Sequence, residues 1–162
     1  MRTRVVITLA SLLLLCVSIP LVLWVASGSF KVCVPAPLDE SNQKTIAALD
    51  GIVDLGLTLS TTLIGVGAAL LIGLKSGLKI TLTVKVIILV ATVFFVQSAL
   101  YAVWWRLGVA EIWLNQCFNL LTAGYMQRRF EAHLVHFFLG LGSLGLLVIG
   151  ALFAIEDTGG DT

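Results

Sequence analysis

Four stretches of the chain, residues 5–26, 46–74, 80–105 and 134–155, are apolar enough and long enough to cross a bilayer. A hydrocarbon core about 30 Å thick takes roughly 20 helical residues. Backbone polar groups in lipid must be satisfied within the protein, so spans of this kind are helices. Composition agrees: 59% of the 162 residues are hydrophobic and only 12% are charged, against about 25% charged in a soluble domain. The expected architecture is all-α, an integral membrane four-helix transmembrane bundle forming a single domain. Its connections over 27–45 and 106–133 are expected to form a small outer loop cap. Arg2 and Arg4 precede the first run and Val25-Ala26-Ser27 ends it, the outline of a cleavable signal. The run is long for a signal core, so it reads as an uncleaved anchor, with Pro20 expected to bend it. Formal net charge is +1, and the chain has no basic block of the kind that holds nucleic acid.

Four spans put both termini on one side. Lys and Arg divide equally between the two sides, so their distribution has to decide. Arg2, Arg4, Lys75, Lys79 and Lys85 sit beside helix ends in a short terminus and a short turn, where the positive-inside bias is strongest. Lys31, Lys44, Arg106, Arg128 and Arg129 are spread over the longer connections. Both termini are therefore expected in the cytoplasm, in a plasma (inner) membrane. Trp24, Trp104, Trp105 and Trp113 all fall on the outer side, with Tyr101 and Tyr125. That asymmetry suggests an interfacial helix within residues 109–124, or else a loop helix packed on the bundle mouth.

Cys33 and Cys117 lie in the two outer connections, whereas Cys16 is within the first apolar run. In an oxidising compartment the outer pair is expected to form a disulfide tying one connection to the other. A membrane thiol or quinone oxidoreductase shares this layout, but that chemistry needs a Cys-x-x-Cys pair and a second pair to pass electrons on. The chain has neither. The bond reads as a staple.

Polar residues at membrane depth are where function is sought first. In the second span Asp54, Thr58, Thr62, Gly65, Ala69 and Gly73 recur in steps of three and four and so share one helix face. Gly65, Ala69 and Gly73 form a small-xxx-small series that lets another helix approach closely. The fourth span carries Arg129, His133, His136, Gly140 and Ser143 on one face. Both spans run the same way, which places Asp54 and His136 at similar depth. The expectation is that these two faces pack together, with Asp54, Thr58, Gln97, Tyr101, His133 and His136 forming one polar cluster.

Such a cluster fits two roles, proton or cation handling, or hydrogen-bonded glue between helices. The inner halves of the third and fourth spans are almost wholly aliphatic, which favours glue. In MQRRFEAHLVHFFLGLG, residues 126–142, Glu131 lies about 150° around the helix from His136, so the apparent carboxylate–histidine triad dissolves. Both histidines sit on one span, which leaves no facing pair of axial ligands for a haem. A zinc or copper site would have to recruit Asp54 or Glu111. No metal, catalytic residue or cofactor is expected beyond bound lipid. The leading expectation is a non-catalytic accessory or scaffolding subunit whose partners are membrane lipid and other transmembrane subunits, or copies of itself. A small oligomeric transporter or channel using Asp54 and His133/His136 is the alternative, and the oxidoreductase is a second one.

Overall fold

The computed structural model describes residues 18–19, 21–29, 31–35, 38–73 and 81–158, with backbone alone for 70–73 and 150–158. A helical segment over 21–26 (α1) is followed by three long helices: α2 (Glu40–Gly73), α3 (Leu82–Asn115) and α4 (Gly124–Thr158). The 3-10 turn Phe118–Thr122 joins the last two. The three long helices are each long and apolar enough to cross a membrane. Most of the first span, the turn at 75–79 and the last four residues lie outside the described residues, so the four-span count rests on the sequence.

Charge spacing sets the level of the membrane. Twenty uncharged residues separate Lys85 from Arg106 on α3, and twenty separate Asp54 from Lys75 in the second span. At about 1.5 Å per residue each run covers about 30 Å, one hydrocarbon core. Arg106 and Asp54, 2.9 Å apart in an ion pair, therefore mark the same boundary. Everything beyond them belongs to a cap.

That cap differs from the expected pair of long loops. Residues 106–115 continue α3, residues 124–133 belong to α4, and α2 begins at Glu40 rather than near residue 46. Residues 109–115 thus belong to α3 and 118–122 to the 3-10 turn, so no separate α-helix forms within 109–124. Once α3 leaves the hydrocarbon it can carry Arg106 and Glu111 without desolvating them, so the charges do not end the helix. It ends instead at Gln116, whose φ of 53° is left-handed. The amide of Cys117 donates to the Ile112 carbonyl at 3.0 Å and that of Gln116 to Trp113 at 3.3 Å, the paired bonds of a Schellman ending.

Cys117 then bonds to Cys33, with Cα atoms 5.2 Å apart. The Asn119 side chain holds the extended segment 31–35 from both sides of Cys33: its Nδ2 donates to the Val32 carbonyl at 2.8 Å and its Oδ1 accepts from the Val34 amide at 3.2 Å. The end of α1 is tied down by Arg128, which donates to the Trp24 carbonyl at 2.7 Å and lies over the Trp24 ring. A cation at the carbonyl end of a helix satisfies groups the helix itself cannot. A Cβ on Gly28 would collide with the Tyr125 backbone, so only glycine lets this segment cross the start of α4.

Helix α3 is central and packs along both α2 and α4, which touch each other only briefly. Across the boundary and into the cap the core is Ile46, Val53, Ala102, Trp105, Ile112, Phe118 and Met126; deeper in the membrane it is Ala91, Phe95 and Phe137. Val25 of α1 buries against Tyr101 and Ala132 on the α3–α4 seam.

Candidate functional site

The most enclosed polar group in the described molecule is a clasp of one side chain from each long helix. Ser60 on α2, Ser98 on α3 and His133 on α4 are all fully buried. The Ser60 hydroxyl donates to Ser98 Oγ at 3.4 Å, and the Ser98 hydroxyl donates to the His133 carbonyl at 3.2 Å. In return His133 Nδ1 lies 2.9 Å from the Ser98 carbonyl and 2.9 Å from its hydroxyl. A carbonyl only accepts, so Nδ1 carries the proton. The opposite nitrogen, Nε2, has no hydrogen-bond partner among the described residues and rests on Gly56, where an added Cβ would stand 2.5 Å away. Glycine at 56 therefore makes the space that the imidazole fills.

His136, one turn further into the membrane, is buried but separately engaged. Its Nδ1 lies 2.6 Å from the Ala132 carbonyl, and its ring stacks on Tyr101 with centroids 5.2 Å apart. Gln97 donates to Ser18 of the first span. Asp54 turns away from both histidines: Arg106 forks between Asp50 (3.1 Å) and Asp54 (2.9 Å), one turn apart on α2. Thr58 is exposed, and its carbonyl accepts the hydroxyls of Thr61 and Thr62. The six residues expected to share one cluster thus divide among the Arg106 fork, the serine–histidine clasp, the Tyr101–His136 stack and the tie to Ser18.

The reason is the face that α2 presents. Helix α2 buries Val53, Gly56, Ser60 and Gly67, while Asp54, Thr58, Thr62, Gly65 and Ala69 are all exposed on the opposite side. The α2 and α4 faces expected to pack together therefore do not meet. Helix α4 does turn its expected face inward: His133, His136 and Gly140 are buried and Ser143 half-buried, with Gly140 against the Phe95 ring. Nothing described lies within 4 Å of where a side chain on Gly51 or Gly65 would begin, and both belong to the outward α2 face. Gly73 ends α2, with its surroundings outside the described residues. The Thr62 hydroxyl is satisfied by the Thr58 carbonyl at 2.8 Å, so that threonine asks for no polar partner from another helix.

Sequence reading missed Ser60, Ser98 and the fork at Arg106. Serines inside the second and third apolar runs, Ser60 beside two threonines and Ser98 next to Gln97, were the available signal for the first two. Arg106 gives none beyond standing where an apolar run stops.

Comparison with protein-family models, with curated proteins and with solved structures finds no match to this chain.

Among the described residues no three of His, Cys, Asp or Glu come together in a way that could hold a metal ion. The clasp hydroxyls and Nδ1 are engaged between helices. What this arrangement does is fix the register of three helices. At about 0.6 kcal/mol per contact inside a membrane, its three hydrogen bonds contribute roughly 2 kcal/mol.

Proposed function

We propose that the protein is a non-catalytic accessory or scaffolding subunit of a membrane complex, which docks a partner transmembrane helix on the outward face of α2. The observation that carries this reading is the exposure of Thr58, Thr62, Gly65 and Ala69 on the side of α2 opposite its packed face. Small residues at this spacing let helix backbones approach closely, and that is the main source of attraction between helices in lipid. A face meant only for lipid has no use for them. Leu55, Leu59 and Val66, the exposed ridge beside this face, are ordinary lipid contacts.

The same reading completes the topology. The first apolar run supplies a fourth span, the chain forms one domain, and the disulfide cap faces an oxidising compartment, with both termini in the cytoplasm of a cell whose plasma membrane holds the complex. The Cys33–Cys117 bond supports this side assignment, since disulfides persist outside reducing compartments.

Gentle purification of the tagged full chain, followed by identification of co-purifying chains, tests the docking. A partner in fixed ratio, or a defined homo-oligomer, is expected. Gly65→Leu should remove it while the disulfide and the melting temperature of the isolated chain stay unchanged, because position 65 touches nothing described in its own bundle. Retention of the partner by Gly65→Leu would contradict the proposal.

A further inference from the structure

Where α2 and α4 diverge at the membrane boundary, their cap turns enclose a cavity of about 410 Å³. Its back wall is apolar and partly aromatic: Trp105, Met126 and Phe130, with the Trp105 and Phe130 rings 6.0 Å apart. Its rim is polar, with Thr45 and Gln127 beside Glu131. Among the described residues Glu131 is the only charged one in the lining, and no described cation lies within ion-pair distance of it.

The neighbouring cations are directed elsewhere. Arg128 points to the Trp24 carbonyl, and Arg129 stacks on Trp104 with its guanidinium carbon 4.4 Å from the ring centre. Lys44 pairs with Glu40 at 2.7 Å. Lys31 reaches Thr122 at 2.8 Å at the outer end of the cavity, several residues from Glu131 along the chain toward the cap. The cavity is thus an aromatic-backed apolar space with one uncompensated carboxylate at the end nearer the membrane.

We propose that this cavity binds a lipophilic organic cation, an ammonium or phosphonium centre carried on an alkyl or aryl body. The body occupies the space against Met126 and Phe130, and the positive centre faces the Glu131 carboxylate and the aromatic rings. A pocket of this size with few convergent polar groups is the usual form of a small-molecule site, and a cation gains from both the carboxylate and the ring faces. The site lies between α4 and the packed face of α2, away from that helix's outward face, so it stands or falls independently of partner docking.

The test uses two ions of one shape and opposite charge, tetraphenylphosphonium and tetraphenylborate, titrated against the full chain in an uncharged maltoside detergent. Saturable binding of the phosphonium at least tenfold tighter than that of the borate is expected. Glu131→Gln should weaken the phosphonium by about three- to tenfold, the range for a partly exposed charge contact, and leave the borate no weaker. Phe130→Leu should weaken the phosphonium as well. Glu131 makes no described ion pair, so its variant is expected to keep the parent melting temperature, which is read alongside. Equal binding of the two ions, no binding of the phosphonium, or an unchanged affinity in Glu131→Gln overturns the proposal.

Discussion

One methyl group at position 56 is enough to probe the clasp. A Cβ there would stand 2.5 Å from His133 Nε2, and the ring cannot retreat because its other nitrogen is held 2.9 Å from Ser98. Gly56→Ala should therefore destabilise the bundle by about 1–3 kcal/mol, the usual cost of overpacking. Gly51→Ala, on the open face of the same helix, should leave stability unchanged or slightly raised. Thermal unfolding in detergent reads both, and equal melting temperatures for the two variants would contradict the packing described for His133. At this scale the sequence shows which residues are polar at membrane depth but not which of them pair. His133 and His136 were visible as one face of α4, and both are buried. Asp54 was visible too, yet its partner is Arg106, a choice that depends on how α2 is rotated.

Among elements, the cap is the part whose form was least legible. The apolar runs locate the spans because lipid forbids charge for about 20 residues. Charge is permitted again beyond the boundary, and Arg106, Glu111, Arg128 and Arg129 then read as loop even though the backbone is still helical. The rotation of α2 was hidden for a related reason. Gly56, Ser60 and Gly67 make a second small-residue face on the same helix, and periodicity alone cannot rank the two. The Cys33–Cys117 staple was legible, because both cysteines fall in connections on one side. It closes a separation of 84 residues, for which chain entropy alone gives about 4–5 kcal/mol; helices already inserted in lipid reduce that figure. Cys33→Ser should accordingly loosen the cap and spare the spans. Hydrogen exchange should show faster exchange at 31–35 and 116–122, with the middle of α3 still protected. Uniform loss of protection along all three long helices would mean that the bond supports the whole bundle.

The whole molecule has one asymmetry: α2 turns one small-residue face to Ser98 and His133 and the other outward. A transporter would carry polar groups across the full membrane, whereas among the described residues the buried polar set stops at Ser60, Ser98, His133 and His136, and the core below is Ala91, Phe95 and Phe137. The outward threonine Thr62 bonds back to its own helix, which suits a dry helix–helix contact. The most direct measurement is a photo-crosslinking scan along α2 in native membranes, with the probe placed in turn at 58, 62, 65 and 69 and at 52, 55, 59 and 66. Crosslinks to another transmembrane chain are expected from the first set and lipid adducts from the second. Lipid adducts at every position, or protein crosslinks confined to the leucine ridge, would contradict docking on the outward face of α2.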